Sequence, residues 1–175
     1  MNKIAWVEHA RMFLNDFLPY VDSSITNWTI NRAVHQYNNM HNTSYYCNNG
    51  MSRICIIGED FVVKLQFTGK TPWCGGNYAE YRFYRDIMKS KYAYLFAEMH
   101  KIKVYNHYYY VMEKIDDVGR ADDDEDIYNY ISDEESDFLQ EIGLSDLHNE
   151  NFGFIDDSPV IIDYAYNNYA SNGHE

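Results

Sequence analysis

Apolar residues recur at three-and-four spacing through the first forty positions. Ile4, Val7, Phe13, Leu14, Phe17 and Leu18 form one such stripe, and Pro19 stops it. A second helix is expected to start at the capping candidates Asp22, Ser23 and Ser24 and to turn Ile25, Trp28, Ala33, Val34 and Tyr37 inward. A connection rich in Asn, Thr and Ser follows over 38–49, and from Tyr45 the period becomes that of strands. Tyr45–Cys47, Arg53–Ile57 and Phe61–Phe67 read as strands, the last two joined at Gly58-Glu59-Asp60.

The loop Thr68–Gly76 leads into a stretch of helical period over 77–88. There Glu80, Phe83, Tyr84 and Ile87 share one face, so a carboxylate sits on the stripe meant for the core, where it needs a cationic partner. Two more strands are expected at Lys101–Tyr105 and Tyr108–Ile115, then a short helix around Asp133–Ile142. The last thirty residues hold two short apolar runs flanking a turn at Asp156-Asp157-Ser158-Pro159. A small hairpin built this way presents Asp146, Asn151 and Asp163 near one another. The expectation is an α+β chain with an antiparallel sheet, one helix packed on it and extra N-terminal helices, divided as 1–44 and 45–175.

Composition narrows the function classes. With 14 Lys and Arg against 27 Asp and Glu, the net charge is −13, the wrong sign for coating phosphate backbones, so direct nucleic-acid binding is disfavoured. The acidity is local. Residues 116–137 hold 11 of the 27 acids and one base, Arg120, which leaves the remainder close to balanced. That run reads either as a solvated loop and helix start or as an interaction surface. Three cysteines, Cys47, Cys55 and Cys74, form no CxxC pair and indicate neither a disulfide framework nor a zinc site, in keeping with a reducing cytoplasm. No apolar run approaches the ~20 residues of a membrane span, and the N-terminus does not read as a signal peptide.

One ordered set of residues carries chemistry: a lone lysine in an apolar strand (Val62-Val63-Lys64), a helix with an inward glutamate (Glu80), the run Asp146-Leu147-His148-Asn149-Glu150-Asn151, and an apolar strand ending in Asp163-Tyr164. The set resembles the protein-kinase-like superfamily over roughly residues 45–166. The DLHxxN loop is similar to that of aminoglycoside phosphotransferases and choline kinases, and the small size and DLHNEN-FGF hairpin look like serine/threonine kinases of lytic bacteriophages. The resemblance implies a minimal kinase-like fold with ATP and Mg2+ as cofactors. Lys64 would grip the nucleotide phosphates and Glu80 would pair with it. Asp146 would be the catalytic base, and Asn151 and Asp163 the metal ligands. It further implies nucleotide contacts at Gly50, Ser52, Met112 and Glu113, in a cleft between sheet and hairpin, and a host protein as substrate in the host cytoplasm.

The chain also departs from that pattern. The stretch Asn48–Arg53, where a phosphate-covering loop belongs, has one glycine, Gly50. Leu144-Ser145 precedes Asp146 in place of His-Arg, and Ala165 stands where glycine usually follows the metal aspartate. Only 12 residues follow Asp163, which implies a truncated second lobe without a peptide-docking platform. A kinase-fold protein that acts by docking to a host factor, and a small-molecule kinase, are therefore the alternatives. His148 reads as a structural hydrogen-bonder rather than a ligand.

Overall fold

The structure is a computed structural model and describes residues 5–69, 76–119, 126–144 and 147–164. It is α+β. Among these residues the order is α1 (Ala5–Phe17), α2 (Asn27–His41), β1 (Tyr46–Asn49), β2 (Arg53–Ile57), β3 (Phe61–Gln66), α3 (Gly76–Ile87), β4 (Met99–Val104), β5 (His107–Glu113), α4 (Asp133–Glu141), β6 (Phe152–Ile155) and β7 (Ser158–Ile161). By its contacts the chain divides into two units: Met1–Asn77 with Glu98–Lys114, and Tyr78–Ala97 with Ile115–Glu175.

The first unit is a five-stranded antiparallel sheet in the order β1-β2-β3-β5-β4, with α1 and α2 on one of its faces. Strand alternation decides which residues those helices cover. Ile54, Ile56, Phe61, Val63, Leu65, Ile102, Val104 and Val111 all point to the helix side, where they close one buried cluster with Trp6, Ala10, Phe13, Leu14, Phe17, Ile30, Ala33, Val34 and Tyr37. The ring of Phe13 is its hub, 4.9 Å from Phe17, 5.2 Å from Tyr37, 4.7 Å from Tyr45 and 5.4 Å from Phe61. The N-terminal helices thus share the core of the sheet.

Helix α2 begins later than its composition suggests. The cap is Thr26, whose side chain accepts the Thr29 amide in a reciprocal box with the Thr29 hydroxyl, and not Asp22, Ser23 or Ser24. That start fixes Ile30, Ala33, Val34 and Tyr37 as the buried stripe. Trp28 falls outside it and is 67% exposed, with the Arg32 guanidinium 5.2 Å above its ring. The expected inward Trp28 is corrected on that ground. Ile4 lies outside the described residues.

The second unit gathers the remainder of α3, α4 and the two-stranded β6–β7 hairpin around buried Phe83, Tyr84, Leu95, Phe96, Ile127, Leu139, Phe152, Ile161 and Tyr164. The hairpin turns at Asp156 and Asp157 with φ of 48° and 62°, the two left-handed residues of a type I′ connection. It is held from outside at Gly153. The carbonyl of Asp116 accepts the Phe154 amide at 3.2 Å, and a Cβ on Gly153 would lie 2.6 Å from that carbonyl oxygen and 2.8 Å from Ile115 Cγ2. Gly153 is therefore required by close approach of the 115–118 segment.

Substituting Gly153→Ala forces that segment away and should cost about 1–3 kcal/mol in urea denaturation. Gly50→Ala should cost far less, because the added Cβ meets nothing closer than the Arg53 carbonyl at 3.5 Å and φ there is not left-handed.

Candidate functional site

Lys64 lies on β3, on the sheet face opposite the helix-covered one, and is 4% exposed. Its register neighbours are Cys55 on β2 and Tyr110 on β5. The backbone beside it is locked by a polar pair that sequence reasoning missed. Asn77, the second residue of α3, donates from Nδ2 to the Lys64 carbonyl at 2.8 Å, and its Oδ1 accepts from the buried Arg53 guanidinium at 3.3 Å. A buried guanidinium and a buried amide so matched bind β2, β3 and the start of α3 together. Asn77 directly follows Gly75-Gly76 at the head of a helical pattern, and an Asn there is the only hint the sequence carries.

Met112 is buried on the same face as Lys64, beside Val62 and Met99 in register. Glu113 is half-buried on the opposite face, its amide bonded to the Glu98 carbonyl at 2.8 Å. Gly50 and Ser52 form the β1–β2 turn: the Gly50 amide donates to the Arg53 carbonyl, and the Ser52 carbonyl accepts from the Phe67 amide and from Gln66 Nε2. Burial pushes the Cys47 thiol up to about 11, which leaves little thiolate for nucleophilic chemistry at neutral pH.

In the second unit, Glu80 on α3 is wholly buried, and its Oε1 accepts the Tyr164 amide at 3.4 Å. Tyr164 is itself wholly buried. Its hydroxyl donates to the Ala97 carbonyl at 3.1 Å, and its ring lies against Phe83, Tyr84 and Phe96. The residue just before it is Asp163, half-buried. Asn151 closes the short 3-10 turn Asn149–Asn151, and its carbonyl accepts the amides of both Ile162 at 2.9 Å and Asp163 at 3.4 Å. Asn151 and Asp163 are thus brought together through the backbone, as the hairpin register requires. Asp146 lies outside the described residues.

The loop carrying Asn151 is pinned by the chain that precedes it. Ile127 donates to the Leu147 carbonyl, Asp126 and His148 form an isolated antiparallel bridge, and Gly119 donates to the Asn149 carbonyl. Several acids of the charged run have local structural partners. Asp126 caps the turn Ile127–Asn129, and Glu135 closes a capping box with Ser132 at the start of α4. Glu134 meets Lys91 at 3.3 Å, Tyr94 donates to Glu135 at 2.5 Å, and Tyr92 stacks on Phe138.

Hydrogen bonds from Ser132 and Tyr94 hold the Glu135 carboxyl below its usual range, and the same carboxylate pushes Tyr94 up to about 12. A lowered acid stabilises above its unfolded pKa and is lost as pH falls through the folded one; a raised phenol stabilises below its unfolded pKa and is lost as pH rises through the folded one. Docking of α4 should therefore be level from about pH 5 to 10 and weaken on both sides. In Glu135→Gln, the Tyr94 titration followed by ring carbon shifts should fall back toward about 10.

Among the described residues no helix is long and apolar enough to cross a membrane, and no three His, Cys, Asp or Glu side chains converge on one point. No protein-family model matches the chain, and no curated protein is significantly similar to it.

Proposed function

We propose that the chain is an ATP- and Mg2+-dependent phosphotransferase, a serine/threonine protein kinase of bacteriophage type that modifies host proteins. The observation that carries this reading is the Asn151 carbonyl, which holds the Asp163 backbone within hydrogen-bonding distance of Asn151 at the end of an apolar hairpin. An amide oxygen and a carboxylate are the hard donors that a small divalent cation prefers, so Asn151 and Asp163 suit Mg2+. When bound, the cation would neutralise charge on the transferring phosphoryl group.

The remaining roles follow from the residues. Lys64 would bind phosphate oxygens, and its burial on a strand limits the water that competes with them. Glu80, anchored by the Tyr164 amide, would fix the strand end on which Asp163 sits. Asp146 would accept or orient the proton of the attacking hydroxyl. The reading of the acidic run as a docking surface is supported less, since Asp126, Glu134 and Glu135 are engaged by neighbouring groups.

Incubation with γ-labelled ATP, Mg2+ and a host lysate should label protein. Asn151→Ala is a clean test because the hairpin contact uses its backbone carbonyl, which the substitution keeps. Asn151→Ala and Asp163→Ala should each lower transfer by roughly 100-fold or more with the circular dichroism unchanged. Label transfer by Asp163→Ala at the parent rate, or none by the parent chain, would sink the proposal.

A further inference from the structure

We infer that the cavity at the C-terminal ends of α1 and α2 is a binding site for a guanidinium group, of the kind an arginine side chain presents. It lies within the first unit, apart from the residues that carry the phosphotransferase reading, and goes beyond that reading. The cavity has a volume of about 450 Å3 and is lined by Asn15, Asp16, Pro19, Tyr20 and His41. That volume is within the usual range of small-ligand sites.

The charge of the lining is one-sided. Asp16 stands in the last turn of α1, which has no basic residue there, and α2 ends at His41. The C-terminal end of a helix carries partial negative charge, so a carboxylate added to it deepens a negative potential. Among the described residues Asp16 makes no hydrogen bond and no ion pair, and the lining holds neither lysine nor arginine. Burial raises the Tyr37 phenol, and the charges of Tyr45 and Asp16 add to it, so the field of the Asp16 carboxylate reaches the ring on which His41 stacks. Such a site selects a cation.

The other walls choose among cations. Asn15 Nδ2 donates to the Arg11 carbonyl at 3.0 Å. A backbone carbonyl only accepts, so the amide is fixed with Oδ1 on its other side, and among the described residues Oδ1 accepts from no donor. Pro19 opens the short 3-10 turn Leu18–Tyr20, which sets the Tyr20 ring edge-on to Tyr37 at 5.7 Å and to His41 at 6.2 Å. The Tyr20 hydroxyl and His41 Nε2 are bonded to one another at 3.3 Å, and His41 stacks on Tyr37 at 4.2 Å, so the ring wall is held in place. An ammonium is a compact point charge. A guanidinium is a flat fork that gives parallel hydrogen bonds to acceptor oxygens and lays its face on a ring, and a carboxylate, an amide oxygen and a fixed tyrosine match that shape.

N-acetyl-arginine methylamide should bind saturably and move the Tyr20 ring and Asp16 amide resonances in 1H–13C and 1H–15N spectra. The citrulline analogue, equal in shape but uncharged, should bind about 10-fold or more weaker, and the lysine analogue about 3-fold or more weaker. Asp16→Asn should lower the arginine affinity about 10-fold or more, with a thermal midpoint no lower than the parent's, because the carboxylate has no partner to lose. Tyr20→Leu, which keeps an apolar wall, should lower it about 3-fold. Two further probes separate the sources of this chemistry. Tighter binding of an end-blocked Gly-Arg-Gly peptide than of methylguanidinium assigns an arginine residue of a partner, and methylguanidinium binding at least as tightly assigns a small free cation. No saturable binding of the blocked arginine, equal binding of the citrulline or lysine analogue, or parent affinity in Asp16→Asn overturns the site. Each of these leaves the phosphotransferase reading standing, since label transfer from ATP tests that separately.

Discussion

Four consecutive residues, Ile161 to Tyr164, hand their backbone groups to three separate segments, and the second unit is organised around that sharing. The Ile161 carbonyl takes the Ala97 amide, the Ile162 and Asp163 amides go to Asn151, and the Tyr164 amide goes to Glu80. Buried amides left unpaired would each cost about 1–3 kcal/mol, so the strand end is confined to one position by necessity of hydrogen bonding. Asp163 stands inside that confined stretch. Its side chain inherits a fixed origin without having to hold itself in place.

The same economy governs the first unit. Its sheet has one face given over to α1 and α2, whose aromatic and aliphatic side chains close a continuous core, and this leaves the other face to carry Lys64, Arg53 and Met112. A polar face on a buried strand is tolerable only where its charges are matched, and the Arg53–Asn77–Lys64 carbonyl chain is one such match. The extra helices cover one face of a short sheet and supply the burial that stabilises it from behind.

The acidic run serves partly as structure. Its described ends pin the loop 147–151 and cap α4, while Tyr94, Lys91 and Ser132 hold Glu134 and Glu135. A net charge of −13 on the chain is thus in part a consequence of how caps and turns are built, since Asp and Glu are favoured at the starts of helices for reasons of their own. Local structure thus employs several of the acids that composition left open between a solvated loop and helix start and an interaction surface.

Much of the architecture was legible in the order of residues. The change from a period of three-and-a-half to a period of two marked the passage from helices to sheet, and the inward position of Glu80 on its stripe was visible because a helix repeats its face. That a hairpin brings Asn151 and Asp163 near one another was readable too, but its register was not: the turn read over Asp156-Asp157-Ser158-Pro159 is confined to Asp156 and Asp157, and Ser158 and Pro159 already belong to β7. Local pattern did not decide where α2 starts, because Thr26 and the earlier Asp and Ser residues have similar capping propensity and only packing of Ile30, Ala33 and Tyr37 selects among them. Nor could it show that Asn77 reaches Lys64, that Tyr164 closes on Glu80, or that His148 caps its own turn. Those contacts join residues whose separation along the chain says nothing of their distance in space, or depend on ring orientation within a turn, and only the tertiary structure, by requiring every buried donor and acceptor to be matched, decides them.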